Sequence, residues 1–403
     1  MNLPAHMLIL TADAGFGHRA AANAIAQALA ERHGDACQVT VYNPLQERSA
    51  PALLRRAQGD YDRWVKQAPE LYKLGYEASD GSLPVSLAEQ ALIALLYFTM
   101  RNVVQRYRPD VIVTTYPLYQ APLAAYFALS GKYIPVLTVV TDLATVHSLW
   151  FNDDVDKCLV PTGAVLKKAL ESGLPSDRLE VTGLPVNPAL ARQVDRAALR
   201  AALGFREDRY VALIVGSKRV KNLEPVAHVL NHSGLPLQLV LVAGGDEALH
   251  RRWAETEWHQ PAQVHSYVSN MPDLMLAADL IICKAGGLII SESLAAGLPI
   301  LITEAIPGQE TGNAQYVIQG GAGALAENAV EALVHLCHWL ARDAAELKER
   351  AAHARRLGKP AAAYRVADLV WMAAMEGAST RQRRLDTQLS FLGRLLKDGV
   401  RIS

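Results

Sequence analysis

Short apolar runs recur along almost the whole chain, separated by segments whose apolar positions fall at helical spacing. The first runs predict strands at His6–Thr11, Gln38–Tyr42, Asp110–Thr114, Val136–Val140, Lys157–Val160 and Leu179–Thr182. Helices are predicted over His18–Arg32, which Gly34 stops, and over Ala121–Leu129 and Ala164–Ser172. A second series then begins, with strands at Tyr210–Val215, Leu237–Ala243, Val264–Val268, Leu280–Cys283 and Ile300–Thr303. Strands alternating with helices argue for a parallel α/β fold, and two series of similar size for two Rossmann-like halves. We place the halves at 1–187 and 188–375, with Gly183–Pro188 as a hinge, because two prolines and a glycine interrupt regular structure there.

Two regions break the alternation. Residues 51–108 read as a helical insertion in which Tyr61, Trp64, Tyr72, Tyr76, Tyr97 and Phe98 are interleaved with arginines and lysines. The tail, 376–403, has six basic against two acidic residues from Arg381 onward, with Leu389, Phe391, Leu392, Leu395 and Leu396 at near-helical spacing. Contact with an anionic membrane surface and plain packing on the core are both open for each region.

Length and composition narrow the class. The 403 residues exceed one ordinary domain and suit two. Forty basic residues oppose forty acidic ones, so no global field points to nucleic acid. Cys37, Cys158, Cys283 and Cys337 lie far apart, which argues against a disulfide framework or a zinc site and fits a reducing compartment. Met1–Leu10 does not read as a secretory signal. The longest apolar stretch, Ala91–Met100, is shorter than the roughly 20 residues a membrane span needs.

Candidate chemistry sits in the loops after strands. Asp13–Ala20 follows a strand and opens a helix. Gly15 and Gly17 let the backbone turn sharply, and the helix start offers free N–H groups and a positive dipole end. His18 stands at that end, where a neutral imidazole suits a general base; a capping histidine in a tight turn is the alternative. The loop also reads Gly-x-Gly-x-x-Ala, but the second strand ends at Tyr42-Asn43-Pro44 without the acidic residue a dinucleotide ribose needs.

Lys284-Ala285-Gly286-Gly287 again joins a strand to a helix and forms an anion cradle with a lysine beside it, fit for a diphosphate. Ser291 and Glu292 lie one turn in; a carboxylate there suits two ribose hydroxyls, or simply faces solvent. Pro307–Asn313 offers Gln309, Glu310 and Asn313, the donors and acceptors that read sugar hydroxyls, or an ordinary capping loop. Gly216-Ser217-Lys218-Arg219 follows a strand and faces the same side. All these loops fall at the carboxyl ends of parallel strands, where α/β folds bind ligands.

With these residues in view, the chain resembles the diacylglycerol glycosyltransferases, which include the monogalactosyldiacylglycerol synthases and are related to the N-acetylglucosaminyltransferase that completes the peptidoglycan lipid precursor. The resemblance spans roughly Met7–Ala374. It is carried by Asp13–Arg19, Val140-Thr141-Asp142, His147 to Trp150-Phe151, Val160-Pro161-Thr162, Gly183–Val186, Tyr267-Val268, Met271–Met275, Lys284–Gly287 and Pro307–Glu310.

The resemblance implies a GT-B fold: two Rossmann-like domains facing across a cleft, with the final helices, Tyr364–Met375, crossing back to the first. It implies an inverting, metal-independent transferase that needs no cofactor and takes its sugar from UDP-galactose, UDP-glucose or UDP-N-acetylglucosamine as a substrate. The acceptor it implies is a membrane lipid, diacylglycerol, at the cytoplasmic face of the cell membrane, with the protein bound peripherally. Carried over by position, His18 is the base or orienting group and Asp142 assists it. Gly216, Ser217, Lys284, Gly286 and Gly287 meet the diphosphate, Val268 meets uracil, Glu292 holds the ribose, and Gly17 and Ser291 also belong to the donor site. Gln309, Glu310 and Asn313 contact the sugar, and His147 and Trp150 stand on the acceptor side.

Two departures bear on the acceptor. The family's His-Pro-Thr-Trp-Phe is His147-Ser148-Leu149-Trp150-Phe151 here, and Phe16 replaces a glycine or asparagine before Gly17. A soluble or polyprenyl-type acceptor, a UDP-sugar epimerase and a non-catalytic nucleotide-sugar binder remain as alternatives.

Overall fold

The computed structural model describes residues 4–13, 17–52, 54–55, 82–218, 220, 223–308 and 310–377. Residues 53 and 56–81 of the aromatic-basic insertion, with Tyr61, Trp64, Tyr72 and Tyr76, and nearly all of the basic tail lie outside the described residues.

The first half runs β1 (Ala5–Leu10), α1 (Gly17–His33), β2 (Cys37–Tyr42), α2 (Ser82–Tyr107), β3 (Val111–Thr114), α3 (Gln120–Ser130), β4 (Val136–Val139), β5 (Lys157–Val160), α4 (Gly163–Glu171) and β6 (Leu179–Val181). Its six strands are all parallel, in the order β2-β1-β3-β4-β5-β6. Helices cover both faces, which is why the strands read as unbroken apolar runs. Along β1, Leu8 and Leu10 enter one core while Met7 and Ile9 enter the core on the opposite face, as the two-residue period of a strand requires.

The second half repeats the plan. It runs α5 (Arg196–Ala202), β7 (Tyr210–Val215), α6 (Leu223–Asn231), β8 (Leu237–Val242), α7 (Glu247–Glu255), β9 (Ala262–His265), α8 (Met271–Ala277), β10 (Leu280–Lys284), α9 (Gly287–Ala295), β11 (Ile300–Glu304), α10 (Thr311–Gln319), β12 (Gly323–Leu325) and α11 (Ala329–Leu357), followed by α12 (Ala362–Glu376). The parallel order is β12-β11-β10-β7-β8-β9. Val211 and Leu213 of β7 face one core, Ala212 and Ile214 the other. Side chains cap several helices: Thr162 accepts from Val165 N at the start of α4, and Asp246 from Ala248 N and Leu249 N at the start of α7.

Two strands differ from the sequence expectation. β9 begins earlier than Val264–Val268, and its ladder with β8 ends at Val242–His265. Ser266 still accepts from Gly245 N at 3.0 Å, after which Tyr267 and Val268 turn away to line the interdomain cleft. β12 was not expected, because three residues Gly-Ala-Leu show no alternation of their own.

Although last in sequence, α12 packs on the first half. Ala363, Val366, Ala367, Leu369 and Val370 join the core that holds Met7, Ile9 and Ile25. Burying each larger aliphatic side chain contributes roughly 1.5–3 kcal/mol. Tyr364 donates to Glu31, Arg365 Nε stands 2.6 Å from Glu180, and Trp371 stacks on His33 with ring centroids 4.0 Å apart. The chain therefore crosses between the halves twice, through Gly183–Pro188 and back before α12. The strands touch: Gly183 has φ +88° and lies directly against Lys359.

Candidate active site

The carboxyl ends of the two sheets face one another across a cavity of about 380 Å³, within the range of small-ligand pockets. Gly17, His18, Thr141 and Asp142 line it from the first half; Gly216, Ser217, Val268, Lys284, Glu292 and Glu310 are among those from the second. Larger hollows elsewhere lie against α11 or at the amino ends of β3 and β4, away from the ends where such folds bind ligands.

The first-half wall is built on β1, β3 and β4. Asp13, just past β1, accepts from Asn43 Nδ2 at 2.8 Å and Gln46 Nε2 at 3.0 Å and pairs with Arg19. The Arg19 hydrogen bond holds its carboxyl below the usual range, so the start of the loop is tied to β2 and α1. His18 is the second residue of α1. Its main-chain carbonyl accepts from the Thr115 hydroxyl at 3.0 Å, and its Nδ1 lies 2.6 Å from the Thr141 hydroxyl. Tyr116 meets the imidazole edge-to-face at 5.0 Å between centroids. Burial in the wall lowers the His18 pKa, against opposing pulls from Asp142 and the Thr115 main chain. The ring is therefore neutral near pH 7, as a base must be.

Asp142 follows Thr141. Its Oδ2 accepts from Trp150 Nε1 at 2.7 Å. Burial raises its pKa, while His18, Trp150 and His147 pull the other way. Trp150 and His147 are both buried and do not line the cavity; His147 Nδ1 accepts from Leu149 N at 3.1 Å. Both act on the Asp142 carboxylate.

The second-half wall is a set of helix starts. Gly286 and Gly287 open α9, and a Cβ on Gly286 would lie 3.5 Å from Lys284 Nζ, so the ammonium sits over the helix N-terminus. Lys284 pairs with Glu310, and Glu310 Oε2 also accepts from Ile306 N at 3.1 Å. Both members of the pair are largely buried. Asn313 donates from Nδ2 to Ala285 O at 3.0 Å, while its buried Oδ1 has no partner among the described residues. Gly244, φ +63°, packs so close to Gly216 that a Cβ on Gly244 would overlap the Gly216 carbonyl oxygen.

Glu292 faces the cavity one turn into α9, and burial pushes its carboxyl up to about 7. Ser291 is a correction to the sequence expectation: its hydroxyl donates to Gly287 O at 2.7 Å within the helix, and it lies outside the cavity lining. Gln309 lies outside the described residues. Sequence reasoning missed Thr141 as the partner of His18, and Leu143 and Thr145, which reach into the cavity from the first half.

Among the described residues, no group of three or more His, Cys, Asp or Glu is arranged to hold a metal ion, and no helix is long and apolar enough to cross a membrane.

Comparison with known proteins places this geometry. Residues 18–186 match the profile of monogalactosyldiacylglycerol (MGDG) synthase, and residues 210–368 match that of the glycosyltransferase family 28 C-terminal domain. Monogalactosyldiacylglycerol synthase, chloroplastic, of Spinacia oleracea is 33% identical over 380 residues, covering 90% of this chain and 71% of that protein. Monogalactosyldiacylglycerol synthase 1, chloroplastic, of Arabidopsis thaliana is 32% identical over 377 residues, covering 90% and 70%. Among solved structures, MurG of Acinetobacter baumannii superposes with a TM-score of 0.58 at 19% identity, covering 92% of this chain and 100% of that one, which shows the shared GT-B fold.

Proposed function

Because this chain belongs to the monogalactosyldiacylglycerol synthase family of GT-B glycosyltransferases, we propose that it transfers galactose from UDP-galactose to diacylglycerol, with inversion and without a metal ion. The observation that carries this reading is the pairing of His18 and Asp142 on one wall with Lys284, the α9 start and Glu292 on the other, across a single cavity.

The donor lies along the second wall. Its diphosphate meets Lys284 and the N–H groups at Gly216, Ser217, Gly286 and Gly287; a lysine and a helix N-terminus together supply the positive field a metal would otherwise provide. Val268 borders the uracil, and the Glu292 carboxylate accepts from the two ribose hydroxyls. Glu310 and Asn313 face the hexose, where the Asn313 Oδ1, without a partner among the described residues, is an acceptor for a sugar hydroxyl.

The acceptor hydroxyl approaches from the first half. Its oxygen attacks the anomeric carbon as the bond to the diphosphate oxygen breaks, and UDP leaves with the electron pair. His18 takes the hydroxyl proton, and the Asp142 carboxylate stabilises the imidazolium that forms. A single in-line displacement inverts the anomeric centre. The acceptor is delivered from a membrane surface to which the protein binds peripherally, on its cytoplasmic face.

The test is a UDP-release assay crossing UDP-galactose, UDP-glucose and UDP-N-acetylglucosamine with diacylglycerol in anionic vesicles, with EDTA present. Lipid-dependent release with UDP-galactose alone supports the reading. Release with another donor changes the sugar. No release with any lipid, despite UDP binding, moves the acceptor to a soluble molecule.

A further inference from the structure

The segment Thr141–Thr145 leaves the first half and is held by the second. Thr141 contacts His18, and Asp142 follows it. Leu143, 4% exposed, is counted into the core of the second half, beside Ile290 and Leu294 of α9. The places that receive this segment are two glycines at helix starts. A Cβ at Gly287 would lie 3.6 Å from Leu143 Cβ, an ordinary contact. At Gly312, the second residue of α10, a Cβ would overlap the Thr145 hydroxyl, stand 3.2 Å from Thr145 N and reach Ala144 Cβ at 3.4 Å.

We propose that Gly312 is a positioning residue: its missing side chain lets the 143–145 segment seat on α10, so that the Thr141-Asp142 wall and the Lys284–Glu310 wall are held in one register across the cavity. The inference rests on the transferase reading for its catalytic consequence. Gly312 is not among the residues lining the cavity. Glu310, which partners Lys284, is the residue immediately before α10, and Asn313 follows Gly312, so a wedge at this position acts between the walls rather than on either alone. Gly312 has no positive φ, so backbone freedom does not explain a glycine here; the approach of Thr145 does.

The experiment compares the full-length protein with Gly312→Val, Thr145→Gly and the double variant. Gly312→Val is expected to keep UDP affinity within about twofold while kcat falls about 10²-fold, the scale of a small misplacement of reacting groups. In the double variant, where the Thr145 side chain is gone, at least tenfold of that loss is expected to return relative to Thr145→Gly alone, a non-additive result that a contact pair requires. Hydrogen exchange of peptides covering 141–147 is expected to rise in Gly312→Val and fall back in the double variant.

Unchanged kcat, or UDP affinity falling in step with kcat, or absence of rescue would overturn the proposal. Should Gly312→Val not fold, Gly312→Ala carries the same readouts with a loss of about tenfold expected. If the unaltered protein transfers no sugar to diacylglycerol, the transferase reading fails by itself, and the exchange measurement still decides whether Gly312 seats the segment.

Discussion

The Nδ1 atom of His18 lies 2.6 Å from the hydroxyl of Thr141, and that hydroxyl lies 3.4 Å from the carbonyl of Thr115. A carbonyl only accepts, so in the tautomer with the proton on Nδ1 the ring donates to the Thr141 oxygen while the Thr141 proton goes to Thr115. That tautomer, which the base role requires, leaves Nε2 with a lone pair for the acceptor hydroxyl. His18→Ala is therefore expected to bind UDP as the unaltered protein does and to lose transfer by about 10²–10⁴-fold. Turnover near normal in that variant would remove His18 from the mechanism.

Trp150 carries a second prediction. Its Nε1–H donates a hydrogen bond to Asp142, whose carboxyl burial already pushes upward. Trp150→Phe keeps an aromatic ring in the buried site but deletes that bond, which favoured the ionised form. The Asp142 pKa then rises further, and the acid limb of the kcat profile moves to higher pH. A hydrogen bond to a charged group contributes about 1.5–3 kcal/mol, so activity is expected to drop at the acid end of the profile and to change little at the alkaline end. Equal losses at both ends would show a packing effect instead.

Much of this was legible in the sequence for a definite reason. Strands covered on both faces are continuous apolar runs, and the loops that line the cavity follow them directly, so Met7–Leu10, Lys284–Gly287 and His18 announce themselves locally. What stayed hidden depends on distant partners. Leu143 reads as one more apolar residue, and nothing in its neighbourhood says that it packs in the core of the other half. Ser291 and Glu292 are adjacent and equally polar, yet the helix turn sends one inward to Gly287 O and the other to the cavity. Three-residue β12 exists only because Ile300 and Ile302 of β11 flank it.

The Glu292 carboxyl, pushed up to about 7 by burial, gives a pH-dependent donor affinity. Below that value the free protein holds it protonated, and above it the carboxylate is ready to accept two ribose hydroxyls. Affinity for UDP-galactose is expected to strengthen as pH rises through about 7, and Glu292→Gln to bind more weakly with a flat profile. Stability runs the other way. The folded pKa lies above the unfolded one, so the native state holds the extra proton between them and loses stability as pH rises across that window. Glu292→Gln is thus expected to melt at a higher temperature than the unaltered protein above pH 7, the gain shrinking toward pH 4.5. Titration calorimetry and thermal melts across this range read both effects; a pH-independent affinity in the unaltered protein would reject the ribose role.

The Lys284–Glu310 pair is the largest charge commitment in the second wall, with Glu310 also tied to Ile306 N. A buried pair is a weak source of stability as a whole, but removing one partner strands the other, at about 3–5 kcal/mol. Lys284→Ala is therefore expected to lower the melting temperature more than Lys284→Ala combined with Glu310→Gln, because the second change removes the stranded carboxylate. Donor binding follows a different rule. The diphosphate needs the ammonium, so both variants are expected to lose UDP affinity, by tenfold or more for a charge-assisted contact. Glu310→Gln alone leaves the lysine in place without its neutralising partner, so its UDP affinity is expected to hold or rise even as its stability falls. The three variants thus separate the two duties of Lys284: a Glu310→Gln protein that loses UDP binding together with Lys284→Ala would show that the carboxylate places the ammonium, and that the lysine's charge alone does not hold the diphosphate.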